Sequence, residues 1–145
     1  VLNVQGDEPL IDPASFDRLC EALDQDPKLS MATLAAPFES YEEARCPSNV
    51  KCLFDVNKNA LYFSRNIIPH TQDPSKIYHH IGVYAFRKSF LEIYDQLPPT
   101  PLQQIEDLEQ LKALERGYTI RIILEKKPSF GVDLPEDIQK LEQRL

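Results

Sequence analysis

The residues best placed to do chemistry are carboxylates that follow glycines at the ends of apolar runs. Val1, Leu2 and Val4 form a short apolar stretch suited to a buried strand of a parallel sheet. The stretch stops at Gly6 and presents Asp7 and Glu8, and Pro9 then ends any further ladder. Ligands of open α/β sheets gather at the carboxyl ends of strands. A carboxylate placed there can hold a hard cation such as magnesium beside a phosphate. The competing reading is a pair of solvated turn residues. Asp133 follows Gly131 and Val132, and it lies three residues before Glu136, so it also fits a helix N-cap box.

Other side chains suit a polar, anionic ligand. Arg65 follows a strand-like LYFS, where its planar fork of donors would match a carboxylate or would form a surface ion pair of little worth. His80 and Tyr84 lie four apart in HHIGVYAF and share one face of a strand, with His79 on the other. Adjacent histidines on one strand therefore do not chelate one metal together. Both His80 and Tyr84 also suit a partly buried, hydrogen-bonded structural role. Glu106 and Gln110 share a helix face at four-residue spacing with Glu109 beside it, although most such carboxylates only solvate a helix. Gln5 is a polar residue at a strand end.

The elements that must position these groups alternate. Asp12 with Pro13 starts a helix whose buried face is Phe16, Leu19, Cys20 and Leu23. Residues 31–36 read as a strand stopped by Pro37, and Ser40 with Glu43 makes a capping box for a short helix. Residues 49–54 and 60–64 flank a polar turn and suggest a β-hairpin. Residues 69–76 read as an exposed loop, and 77–86 as a strand in which Gly82 allows close approach of a backbone or ligand. A short helix over 89–97 ends at Pro98 and Pro99. A longer one over 100–115 carries the stripe Leu102, Ile105, Leu108, Leu111 and Leu114, with Gly117 at its C-terminal cap. A last strand covers 119–124, and a last helix runs from 135 onward. This alternation predicts one α/β domain over 1–145, the hairpin adding an antiparallel portion.

Composition narrows the function. Hydrophobic residues at 42% and charged residues at 27% are ordinary for a globular domain. A net charge of −7 disfavours unaided binding to nucleic acid or an anionic membrane, yet a local Arg or a bound cation still permits a small anionic ligand. No apolar run reaches membrane-spanning length. Cys20, Cys46 and Cys52 are odd in number without CxxC spacing, which predicts reduced thiols in a cytoplasmic protein. Four glycines leave no room for a Gly-rich phosphate loop, and residue 1 lies inside what reads as a core strand, so a fragment is expected.

Four stretches in order, NVQGDEP, HIGVYAFR, PLQQIEDLEQLKALERG and GVDLPEDI, closely resemble the CMP-Kdo synthetases, the 3-deoxy-manno-octulosonate cytidylyltransferases. The resemblance implies a mixed, largely parallel sheet with flanking helices in a Rossmann-like nucleotidyltransferase architecture. It implies a reaction of CTP with Kdo to give CMP-Kdo and pyrophosphate for lipopolysaccharide-type Kdo incorporation. By the same resemblance Asp7 and Asp133 hold Mg2+, and Gln5, Arg65, His80, Tyr84, Glu109 and Gln110 contact the sugar. A cytoplasmic homodimer formed partly by the hairpin region is implied as well, without nucleic-acid partners or membrane insertion.

Three departures qualify the resemblance. The family's amino-terminal nucleotide loop has no counterpart, Leu134 stands where Thr is usual, and Leu102-Gln103 stands where the family commonly reads PLE. The alternatives are a catalytically incompetent fragment that keeps the sugar-site and dimer surfaces, or a cytidylyltransferase for another acidic sugar such as sialic acid.

Overall fold

The computed structural model describes residues 1–5 and 11–127. Strand β1 (Leu2–Val4) is followed by helix α1 (Pro13–Gln25). As its sequence predicts, α1 starts with Pro13 in its first turn while the Asp12 carboxylate accepts from the Ala14 N–H at 3.0 Å. Ser15, Leu19 and Leu23 are its buried residues, and Phe16 packs at their margin. Cys20, expected on the buried face, is exposed, because a stripe stepping by four from Ser15 leaves it one position off.

Strand β2 (Met31–Pro37) and the short helix α2 (Tyr41–Arg45), capped by Ser40, come next. The expected hairpin is β3 (Lys51–Phe54) with β4 (Ala60–Ser64). The loop after it contains a single 3-10 turn, Pro74–Lys76. Strand β5 (Tyr78–Phe86), helix α3 (Lys88–Tyr94), helices α4 (Pro101–Glu106) and α5 (Leu111–Leu114), and strand β6 (Ile120–Leu124) complete the described chain. The expected helix from 135 onward lies outside the described residues.

The strands form one sheet in the order β4-β3-β5-β2-β6. Strand β1 joins the same edge of β5 that β3 uses, pairing with Val83 to Ala85 while β3 pairs with Tyr78 and His79. The α/β class and the mixed sheet are as expected, but the parallel preponderance is corrected. Among the described strands only β2–β6 is parallel, and the other four pairings are antiparallel. Apolar runs such as residues 31–36 report burial on both faces, which a central antiparallel strand shares with a parallel one. Strand β1 also departs from expectation. Val1, Leu2 and Val4 are exposed, because β1 covers one stretch of the edge of β5 and no described strand flanks its other side.

Each face of β5 has its own core. Ile81, Val83 and Ala85 point towards α1 and pack with Leu19, Leu23, Leu29, Ala32 and Leu34. Tyr84 and Phe86 point the other way and pack with Met31, Phe63, Phe90, Leu111 and Ile122. The hairpin curls over this second face. Lys58, at φ 65°, offers its carbonyl to the Ile122 N–H at 2.8 Å, and Asn59 bridges to Arg121, so the hairpin turn reaches the opposite edge strand.

The helix predicted over 100–115 is broken in two. Asp107 adopts φ 54°, ending α4 before α5 begins. Two sets of hydrogen bonds stabilise the break. The Glu115 carboxylate folds back to accept from the Leu102 and Gln103 N–H groups at 3.1 Å each, satisfying donors that every helix start exposes. At the other end the Arg65 guanidinium donates to the carbonyls of Glu106 and Asp107 at 2.8 and 3.1 Å. Leu108 and Leu111 stay buried, whereas Leu102 and Ile105 turn to solvent.

Leu19 is fully buried against β2 and β5, while Cys20 beside it is exposed. Leu19→Ala is expected to destabilise the chain by about 2–5 kcal/mol in urea unfolding, and Cys20→Ala by less than about 0.5 kcal/mol.

Candidate functional site

The alternation of β5 places His80, Gly82, Tyr84 and Phe86 on the face covered by the hairpin. His80 and Tyr84 are both buried, with ring centroids 5.5 Å apart. The His80 ring also meets Phe63 of β4 edge-on at 4.9 Å. The expectation that these two share a face is met, as is the expectation that His79 faces away. His79 stacks on Phe38 instead, 5.0 Å between centroids.

Gly82 lies between His80 and Tyr84, and the close approach it permits is made by Gln5. A Cβ at Gly82 would stand 2.6 Å from Gln5 Oε1 and 3.1 Å from its amide carbon. Gln5 follows Val4, which pairs with Val83, so β1 delivers its amide to the space that glycine leaves. The structure thus brings three of the predicted residues, Gln5, His80 and Tyr84, to one strip of β5.

Gln110 approaches the same core from the helical side. It is buried between Leu108 and Leu111, both packed in one cluster with Tyr84, and its Nε2 has no hydrogen-bond partner among the described residues. A buried amide without an acceptor is costly, which makes Gln110 Nε2 a ready donor to a polar ligand. Glu109 behaves differently. It is exposed, accepts from Gln103 Nε2 at 3.2 Å and lies 3.4 Å from Lys112 Nζ. Gln103 also accepts from the Thr100 N–H at 3.1 Å, the capping arrangement its sequence position suggests.

Arg65 is held in place by the protein itself. Its three guanidinium nitrogens donate to the carbonyls of Glu106, Asp107 and Pro47 at 2.8 to 3.2 Å. Its own N–H donates to Glu106 Oε2 at 2.9 Å, while Ser64 Oγ and Tyr62 OH donate to Glu106 Oε1 at 2.7 and 3.1 Å. This joint ties β4 to the end of α4. Glu106 was therefore the more informative carboxylate of its helix, and only the strand it meets reveals it. Lys51 is a residue that the sequence did not single out. It is fully buried, donates to the Cys46 carbonyl at 3.1 Å, and pairs across the ladder with His79.

Burial sets the electrostatics. Desolvation pushes His80 down to about 3, with His79 adding to the effect, so its ring is neutral near pH 7. His79 is pushed down to about 4, by burial first and then by Lys51. Burial likewise lowers Lys51. At Glu106 burial favours the neutral acid, but the hydrogen bonds from Arg65, Ser64 and Tyr62 outweigh it and hold the carboxyl below its usual range. Asp7 and Asp133, the expected metal ligands, lie outside the described residues. Among the described residues no group of three His, Cys, Asp or Glu could hold a metal ion. Among them, too, no helix is long and apolar enough to cross a membrane.

This fold, with a polar strip let into an aromatic core, is that of a nucleotidyltransferase, and the chain belongs to the cytidylyltransferase family, whose sequence profile matches residues 1–126. More particularly, it is similar to 3-deoxy-manno-octulosonate cytidylyltransferases. It is 45% identical to that of Protochlamydia amoebophila over 100% of this chain and 58% of the relative. It is 46% identical to that of Chlamydia trachomatis serovar L2, again over 100% and 58%. An 8-amino-3,8-dideoxy-manno-octulosonate cytidylyltransferase of Shewanella baltica is 44% identical over 100% of this chain and 60% of its own length. A solved structure of CMP:2-keto-3-deoxy-manno-octonic acid synthetase complexed with CTP superposes with a TM-score of 0.88 at 38% identity, covering 99% of this chain and 62% of that one. The chain thus spans about three-fifths of the length of these relatives.

Two predictions follow from the geometry. Because only the far end of the flexible Gln5 side chain meets a Cβ at position 82, Gly82→Ala should change unfolding stability by less than about 1 kcal/mol while displacing the Gln5 side-chain amide resonances in NMR spectra. The stabilisation contributed by the depressed Glu106 carboxyl is complete above its ordinary value of 4.5 and is lost as pH falls through the lower folded value. Glu106→Gln should therefore lower the unfolding free energy from urea titration at pH 7, on the order of 1 kcal/mol after allowing for solvent screening, and progressively less as pH falls below 4.5.

Proposed function

We propose that this chain is the sugar-binding part of a cytidylyltransferase that activates Kdo with CTP, giving CMP-Kdo and pyrophosphate. The observation that carries this reading is the similarity, at about 45% identity over the full chain, to enzymes named for that reaction. The convergence of Gln5, His80 and Tyr84 on one strip of β5 supports it, since the family resemblance assigns these three to the sugar site.

In this reaction the anomeric hydroxyl of Kdo attacks the α-phosphorus of CTP. A new P–O bond forms, the α–β bridging P–O bond breaks, and pyrophosphate leaves. Such transfers depend on alignment and on stabilising charge more than on protein acid-base groups. His80, neutral and buried, and Tyr84 would orient sugar hydroxyls. Gln110 Nε2 would donate to the sugar, and Gln5 would close the strip beside Gly82. Glu109 would contact the sugar at its solvent-facing side. Arg65, read from sequence as a carboxylate ligand, would act chiefly by holding the β4–α4 joint.

The carboxylates of Asp7 and Asp133 have the hard-oxygen chemistry that suits Mg2+. When bound, that ion would supply charge neutralisation at the phosphates and lower the pKa of the attacking hydroxyl. A homodimer is part of the same proposal, and Val56 and Leu61 of the hairpin, 93% and 59% exposed, offer apolar surface for it. A cytoplasmic site of action, feeding Kdo into lipopolysaccharide, completes it.

The test is pyrophosphate release from CTP by the purified chain with Kdo and Mg2+. Kdo-dependent release is expected to fall by at least about a hundredfold in Asp7→Ala with the fold intact. Kdo-dependent release that Asp7→Ala leaves unchanged would remove the metal assignment. No release, with Kdo still bound in calorimetry, would favour the binding-only part of a longer enzyme. Replacing Kdo by its 8-amino analogue or by sialic acid would decide among the sugars.

A further inference from the structure

Thr33 is fully buried at the centre of β2, on the same face of the sheet as Met31 and Ala35. The β2–β5 ladder slips immediately beyond it. Thr33 pairs with Tyr84, yet Leu34 pairs with Ile81, which leaves Gly82 and Val83 without β2 partners. The Thr33 hydroxyl fills this break. Its Oγ1 lies 2.8 Å from the Val83 carbonyl oxygen, 3.2 Å from that of Ile81 and 2.9 Å from His80 Nε2.

A hydroxyl carries one hydrogen, and carbonyl oxygens can only accept. Were that hydrogen given to His80, the hydroxyl oxygen would face two carbonyl oxygens lone pair to lone pair. The site is buried, so no water would screen that repulsion. The hydrogen therefore goes to Val83, the shorter of the two carbonyl contacts. Oγ1 then accepts from His80, whose Nε2 carries the proton. Burial keeps the ring neutral, so a proton on Nε2 leaves Nδ1 with its lone pair free to accept.

We propose that Thr33 is a positioning residue that fixes His80 as the Nε2–H tautomer, so that the ring offers Nδ1 as a hydrogen-bond acceptor to a hydroxyl of the sugar acid. The proton on Nε2 rests on the Thr33 geometry, the free Nδ1 on the burial that keeps the ring neutral, and the sugar contact on the function proposed above. A site built this way discriminates by donor: a substrate carrying a hydroxyl at that point satisfies Nδ1, and an analogue lacking it leaves a buried acceptor unpaired.

The test is long-range 1H–15N correlation spectroscopy of the chain labelled in its three histidines, assigned with His70→Gln and His79→Gln variants. The expected result is a neutral His80 with a pyrrole-type Nε2 and a pyridine-type Nδ1, unchanged between about pH 5 and 8. Thr33→Ser, which keeps the hydroxyl, should retain that pattern, and Thr33→Val should redistribute the proton between the two nitrogens. A His80 protonated on Nδ1 would overturn the proposal, as would a folded Thr33→Val variant with the pattern unaltered. If Thr33→Val does not fold, the parent and Thr33→Ser spectra still decide the tautomer. Adding Kdo should then move the His80 Nδ1 resonance. A fixed Nε2–H tautomer with no response to Kdo would remove the sugar contact while leaving the role of Thr33 standing.

Discussion

A sheet covered on both faces can carry polar side chains only where each one finds a partner, and that constraint organises this structure. Strand β5 is apolar towards α1 and mixed towards the hairpin, where His80 and Tyr84 sit among Phe63, Phe86 and Met31. A buried imidazole without hydrogen bonds would cost several kcal/mol. The Thr33 hydroxyl meets that need and at the same time donates to the Val83 carbonyl beside the ladder slip. One hydroxyl thus reconciles an irregular strand pair with a polar ring inside an aromatic core. The slip is what lets Gly82 stand opposite no β2 residue and accept the Gln5 side chain on its surface.

The second organising contact is the Arg65–Glu106 joint. Glu106 gathers three donors from β4 and its end, and Arg65 answers with three bonds to carbonyls. Because two of those carbonyls, of Glu106 and Asp107, close α4, the chain can turn at Asp107 and bring Gln110 back into the core. Charged hydrogen bonds of this kind are worth more than neutral ones, and here they fix the direction of a helix rather than merely decorate it. The aromatic strip and the buried Gln110 amide therefore depend on contacts made by residues that need never touch a ligand.

Much of this was legible in the sequence. Asp12-Pro13, the Ser40 cap, the polar hairpin turn and Gly82 each announced a local geometry that the structure adopts. The even spacing of His80 and Tyr84 was enough to put them on one face. What local spacing could not show was direction and partnership. Residues 31–36 advertised double burial without saying whether their neighbours run parallel. The stripe from Leu102 to Leu114 looked like one helix because the carboxylate that breaks it, Glu115, and the guanidinium that caps it, Arg65, act from 12 or more residues away. Lys51 sits among apolar strand residues, and nothing local distinguishes a lysine that snorkels from one that is sealed in.

The central claim is that a sugar acid binds on the hairpin-covered strip of β5. A crystal structure of this chain grown with Kdo tests it most directly. The account predicts density for the sugar within hydrogen-bonding distance of His80 Nδ1, Tyr84 and the Gln110 amide, with Gln5 beside it over Gly82. Kdo bound on the α1 face of the sheet, or an unoccupied strip in crystals that hold Kdo elsewhere, would contradict it.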